Sequence, residues 1–406
     1  MSDNTPTIVL PTSFRFDQVR PSPPLEPKLV IPTPTPPLGI LSHFHGDFAG
    51  RGFNMIFRPN SAAPTTTTFP NPVAGPPIPT PPNENVLELN LTTETLSFSN
   101  ALGSVPNRGL ETQNDIFLNG VPYVQAINDV TNPATGKADG PPTGIHFEPG
   151  LWMHIPATET VPVLGESLVR MASIPHGTTI NAQGLAPTAS IKGPPTIPSV
   201  DITPFVIGNP AKKIKFASQT AASTNTPRIP QDLGKFIAAG TITQAILDDP
   251  NTILRLAIAG QTIVETSVFT VSTLPAAPEF GGGTDNIAFL EGDAAITKPN
   301  ADAATMTATF WVETVEHKLH IPIFKASGPP LTIKAPSTRP AQLAPTFEVS
   351  PPHDIPAPIT ITVRTTQIQY SQVVMLNFAG LTWPHVSVAT LTPSTTQVVP
   401  PSAWTP

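Results

Sequence analysis

The side chains able to do chemistry in this sequence are its histidines and the few carboxylates near them. His146 and Glu148 stand two apart, which on a strand places imidazole and carboxylate on one face. A carboxylate there can fix the ring's tautomer or raise its pKa, as in a general acid–base pair. A polar pair at a strand end is the plain alternative. His385 opens the run His385-Val386-Ser387-Val388-Ala389-Thr390-Leu391. Alternation gives His385, Ser387, Ala389 and Leu391 one face, and the small residues after the histidine leave room beside its ring. Pro384 stiffens the approach to it. Such an imidazole suits a ligand to something flat; a half-buried histidine bonded to backbone is the plain alternative. His43 and His45 also share a strand face, a spacing that can hold a metal; two rim histidines would look the same. His154 is a second acid–base candidate, and His176, in Pro175-His176-Gly177, reads as a turn residue.

Composition limits the chemistry. The chain of 406 residues has no cysteine, which excludes disulfides, thiolate-ligated haem, iron–sulfur clusters and zinc held by sulfur. The net charge of -7 carries no basic cluster beyond Lys212-Lys213-Ile214-Lys215, so nucleic acid is not an expected partner. No charge-free apolar run approaches the roughly 18 to 20 residues of a membrane span. The start has no basic segment followed by an apolar one, so a cytoplasmic location is expected.

The elements that must position these residues are strands. With 55 prolines, long helices and central strands are confined to the stretches between proline-dense segments. Residues 1-38 read as a proline-rich arm, residues 39-395 as one domain, and residues 396-406 as a tail. Within the domain, 61-83, 185-250 and 325-358 read as inserts, the first and third as proline-rich loops. Leu41 to Pro59 reads as a long first strand, coiled by Gly46, Gly50 and Gly52. Strands are expected at 86-91, 94-98, 116-118, 123-127, 144-156, 287-290, 305-317 and 359-378, with Asn119-Gly120 as a hairpin signal. Short strands are expected at 202-207 and 213-217, a hairpin over 167-184, and a β region over 253-273 broken at Gly260. One helix is expected at Thr241 to Leu247, capped by Thr241, and a turn or two at 233-239. Gly281-Gly282-Gly283 reads as a flexible turn. Many short strands and little helix mean a sandwich or a closed barrel, and the glycine-rich first strand favours the barrel. The fold expected is all-β, an antiparallel calycin-like β-barrel with long proline-rich loops and one or two short helices.

Three segments, in the same order along the chain, resemble nitrobindin-type haem proteins, whose barrels are calycin-like and similar in shape to fatty-acid-binding proteins. Gly46-Asp47-Phe48-Ala49-Gly50-Arg51-Gly52 is similar to that family's G-x-W/F-x-G-x-G first strand. Ile145-His146-Phe147-Glu148-Pro149-Gly150-Leu151-Trp152 is similar to its M/I-H-x-E-x-G strand with a following aromatic. Pro384 to Leu391 is similar to its P-H-x-x-A-T-L strand. The family domain is shorter, and an arginine often follows its aromatic where Met153-His154 stands here. The resemblance implies haem b with His385 as the iron ligand, and Ile145 and His146 on the opposite side of the haem. Trp152 and Phe48 would complete the cofactor pocket, with His146 and Glu148 as the acid–base pair.

Two functions follow as expectations. One is a His-ligated haem barrel that senses or acts on NO, peroxide or peroxynitrite, peroxidase-like or isomerase-type if an enzyme. The alternative is a metal-free, lipocalin-like carrier of an apolar molecule, which 20 phenylalanines against 2 tyrosines would suit. A cupin-like non-haem metal enzyme lacks its expected order of histidines and glutamate.

Overall fold

Alternation of apolar and polar residues over long stretches can be satisfied by one sheet only if its two faces meet different environments. In a computed structural model of the protein the sheet meets them by closing on itself. The structure describes residues 35-60, 85-161, 163-174, 176-274, 281-291, 300-339 and 342-404. Ten strands form the barrel: β1 (Gly46–Pro59), β2 (Asn85–Phe98), β3 (Ile116–Asp129), β4 (Thr143–Ile155) and β5 (Ser167–Ile174). The second half is β6 (Thr178–Leu185), β7 (Thr262–Ser272), β8 (Asp302–Ile321), β9 (Ile359–Phe378) and β10 (Leu381–Pro393). Each pairs antiparallel with the next, and β1 pairs with β10 to close the ring. The expected all-β antiparallel barrel is therefore present.

The glycines of β1 allow that closure. A Cβ at Gly50 would lie 2.0 Å from the Thr390 carbonyl oxygen, and one at Gly52 2.2 Å from that of Val388. Inside, one half of the barrel is filled by its own side chains. Phe44, Phe48, Phe98, Trp152, Phe269 and Phe310 belong to one buried cluster. The Trp152 ring meets Phe310 edge-on at 5.1 Å and Phe269 at 5.7 Å. Each such side chain contributes about 1.5–3 kcal/mol by leaving water. A short 3-10 turn, Gly39–His43, caps this end through buried Leu41.

The outer face of β1, β2 and β10 (Phe53, Met55, Phe57, Leu87, Leu89, Val386 and Val388) is covered by the long insert before β7. That insert carries three short helices, α1 (Gly234–Ala239), α2 (Gln244–Asp248) and α3 (Thr252–Ile258). Its loop is organised by Arg228, fully buried and donating to six backbone carbonyls.

Several expectations are corrected. The residues expected to begin the first strand, Leu41 to His43, lie in the 3-10 turn, and β1 starts at Gly46, whose φ is +69°. The two strands expected at 86-91 and 94-98 are one continuous β2, and those at 116-118 and 123-127 are one β3. Asn119-Gly120 is no turn: a Cβ at Gly120 would lie 2.3 Å from the Trp152 carbonyl, so the glycine serves close strand approach. The expected β region at 253-273 begins as α3, whose end is marked by Gly260 at φ +80°. The second helix starts at Gln244 after an N-cap at Thr243 rather than at Thr241. Residues 288-290 form a 3-10 turn, and the strand there lies earlier, at Gly283–Asn286, where a flexible glycine turn was expected. The segment 325-358 contains strands Leu331–Lys334 and Thr346–Val349, which pair with each other, and the second also pairs with Gln397–Val398. They cover the ends of β8 and β9, which outrun the barrel: Leu319, Ile321, Ile361 and Val363 pack with Phe347 and Val349. Residues 1-34 of the arm expected at 1-38, and the loop expected at 61-83, lie outside the described residues, whereas the Pro36 carbonyl accepts from Asn119.

Candidate functional site

Strand alternation turns His146, Glu148, Gly150, Trp152 and His154 of β4 into the barrel, spread along its length. Gly150 has no side chain because the Tyr123 ring of β3 lies over it, 2.4 Å from where a Cβ would stand. That lets the Tyr123 hydroxyl reach Glu148, to which it donates a short hydrogen bond. Arg170, facing inward from β5, completes the group. Its Nη2 donates to Glu148 Oε1 at 2.6 Å, its Nε to the Tyr123 hydroxyl at 2.8 Å, and its Nη1 to Gln372 Oε1 of β9 at 2.6 Å. The guanidinium also lies 5.9 Å from the Trp152 ring centroid and 5.7 Å from that of Phe310. The buried ion pair therefore forms a floor on top of the aromatic plug.

The electrostatics follow from that floor. Burial alone would push Glu148 up, but the Arg170 charge and the His146 hydrogen bond overcome it and bring the carboxyl down to about 2. An ionised carboxylate can only accept, so the His146 Nε2, 3.2 Å from Glu148 Oε2, carries a proton. Beside this group Glu94 accepts from Tyr370 at 2.6 Å and Gln125 at 3.2 Å; burial pushes it up to about 7.

Above the floor the inward side chains are less completely buried. His146, Ile174, Val374 and His385 keep part of their surface exposed, whereas Glu148, Arg170 and Trp152 below are buried. His385 faces inward from β10, opposite Val374 in register. Burial, with His146 and His176 adding to it, pushes its imidazole down to about 3, so the ring is neutral at physiological pH. Its Nε2 accepts from Asn54 Nδ2 of β1 at 2.8 Å. His176, in the β5–β6 turn, lies 5.7 Å from His146 between ring centroids, and burial lowers its pKa as well. Three imidazoles thus gather at the open end.

The structure brings His146, Glu148 and His385 to one end and separates them from the other expected site residues. Trp152 is six residues from His146 on β4, about 20 Å along a strand, and lies in the aromatic plug. Phe48 is paired with Pro393, eight residues from His385, about 27 Å along β10. Both belong to the aromatic cluster rather than to the group of histidines. Ile145 is the unpaired residue of a bulge between Gly144 and His146 of β4, and its backbone, not its side chain, is what His176 bonds. His154 is buried at the capped end, 3.5 Å from the Glu166 carboxylate. His43 and His45 lie at that end too, and no group of three or more His, Asp or Glu placed to hold a metal ion occurs among the described residues. Two surface clefts, of about 280 Å³ beside His43 and Glu265 and about 180 Å³ beside Gln261 and His317, lie away from the three histidines.

Arg170, Tyr123, Asn54 and Gln372 were not singled out from the sequence. Arg170 had a signal: it is the lone charge at an inward position of β5, whose other inward residues are Leu168, Ala172 and Ile174.

No protein-family model matches the chain, and no curated protein matches it. Among solved structures it is similar to one titled "Crystal Structure of Rv2717c from M. tuberculosis", with a TM-score of 0.30 and 10% identity, over 88% of this chain and 96% of that one. No helix among the described residues is long and apolar enough to cross a membrane.

Proposed function

We propose that the open end of the barrel binds haem b with His385 as the protein's iron ligand, and that the bound protein senses or acts on NO, peroxide or peroxynitrite. The observation that carries this reading is a neutral, inward-facing imidazole on the last barrel strand, near a second imidazole tethered to a buried carboxylate. The residues present fit the group on one condition: the lone pair on His385 Nε2 must be released by Asn54. Val374 and Ile174 supply apolar contact at the mouth, a role expected of Trp152 and Phe48. When bound, haem supplies an iron position that small oxidants and diatomic ligands can occupy. The chain's own contribution is proton placement. Glu148 holds the proton of His146 on Nε2, so in the neutral ring Nδ1 carries the lone pair and can accept a proton from a bound ligand.

The carrier reading is less well supported. The part of the interior that would hold an apolar molecule is filled by the aromatic plug and closed by the Arg170–Glu148 floor. The test is the visible spectrum of purified protein titrated with hemin, for wild type and His385→Ala. A saturable Soret band at one equivalent, lost or shifted in the variant, supports the proposal. A wild type without such a band refutes it.

A further inference from the structure

Asn54 is the group that holds His385, and its own orientation is fixed from outside the site. It stands in register with Ser387 on one side and Asn90 on the other. Its Nδ2 donates to His385 Nε2 and to Ser387 Oγ, each at 2.8 Å. Its Oδ1 accepts from Asn90 Nδ2 at 3.5 Å, and Asn90 Nδ2 also lies 3.5 Å from Glu88 Oε1. Glu88 is paired with Arg58 at 3.0 Å. The direction of donation follows from chemistry. A carboxylate paired with arginine only accepts, so Asn90 turns its amide nitrogen toward Glu88. Asn54 then meets Asn90 with its oxygen and His385 with its nitrogen. The His385 lone pair is on Nε2 and its proton on Nδ1.

We propose that Asn54 is a positioning residue that sets the tautomer of His385 and thereby controls whether that ring can bind iron. The consequence for iron rests on the haem reading; the tautomer does not. A donor seated on the ligating lone pair must leave before a metal can take its place. The hydrogen bond lost is worth about a three- to tenfold change in affinity. Asn54→Ala frees the lone pair. Asn54→Asp reverses the polarity, because a carboxylate there can only accept and draws the ring proton to Nε2.

The experiment uses 15N-labelled protein without haem, and reads the ring tautomer of His385 from long-range proton–nitrogen spectra in wild type, Asn54→Ala and Asn54→Asp, with His385→Ala to assign the signals. Hemin titrations of the same proteins follow. The proposal expects the Nδ1–H form in wild type and the Nε2–H form in Asn54→Asp. It expects hemin binding about three- to tenfold tighter in Asn54→Ala and weaker by a similar factor in Asn54→Asp. Opposite shifts cannot both come from a damaged fold. A wild-type ring protonated on Nε2 overturns the proposal, as does hemin affinity that is equal in the three proteins. If no protein binds hemin, the haem reading fails alone, and the ring spectra still decide whether Asn54 sets the tautomer.

Discussion

Replacing Arg170 by leucine tests the floor on which the site is built. The guanidinium is buried and spends its donors on Glu148, Tyr123 and Gln372. Without it the Glu148 carboxylate, with none of its side chain exposed, keeps only the Tyr123 hydroxyl and His146 as partners. Breaking a buried pair from one side costs about 3–5 kcal/mol. A carboxyl held at about 2 against an ordinary 4.5 gives a similar figure, about 3 kcal/mol in favour of the ionised form. The sign with pH follows. In wild type the folded value lies below the unfolded one, so this stabilisation is present above pH 4.5 and is lost as pH falls toward 2. In Arg170→Leu burial is opposed only by His146 and the Tyr123 hydroxyl, so the carboxyl rises from its wild-type value; the deficit is largest near neutral pH and shrinks in acid as Glu148 takes up a proton. Urea unfolding at pH 7.5 and pH 4.5 reads both numbers. The double variant Glu148→Gln/Arg170→Leu should recover at least half the loss at pH 7.5. A single variant within about 1 kcal/mol of wild type at pH 7.5 would show that the pair does not hold the floor. A double variant no more stable than the single would show the same.

Glu313, on the outer face of β8, accepts from Gln367 at 2.5 Å, and burial pushes its carboxyl up to about 8. Its folded value lies above the unfolded one, so it costs stability as pH rises from 4.5 to 8. Glu313→Gln should gain more than about 1 kcal/mol over wild type at pH 9 and nothing at pH 4, read by denaturant titration. Gly50→Ala places a Cβ 2.0 Å from the Thr390 carbonyl. A loss of about 3 kcal/mol or more in chemical unfolding is expected, and a loss below about 1 would mean the seam can relax. His154→Leu removes a buried ring whose nitrogens make no hydrogen bond. It should shift stability by less than about 1.5 kcal/mol and leave hemin binding intact, whereas a lost Soret band would bring the capped end into the site.

The parts of the fold legible in the sequence were those where alternation alone decides. Over 385-391 it assigned faces correctly, because one side meets the interior and the other the insert helices. Local signals failed where tertiary contact overrode them. Gly120 read as a turn because its neighbour is asparagine, yet its reason is the Trp152 backbone. Residues 331-349 read as loop because of their prolines; their strands exist because β8 and β9 run past the barrel and need cover. At the site, the His146–Glu148 pair was visible as a spacing, and the structure bonds it. Trp152 and Phe48 were placed with His385 by the resemblance, but sequence does not show how far along the barrel axis each strand sets its residue. Arg170 and Asn54 come from strands on either side of the histidines, so no local pattern joins them to their partners.

The seam between β1 and β10 has a consequence for assembly. Asn54 and His385 meet across it, 331 residues apart in sequence. During synthesis the edge of β1 waits unpaired until the last strand has left the ribosome, the long-range kind of contact that forms slowly. The hydrogen bond that governs His385 therefore belongs to the final closing event. A chain stalled before residue 385 has β1 to β9 but lacks His385, so the Asn54 amide meets its imidazole partner only once the ring has closed.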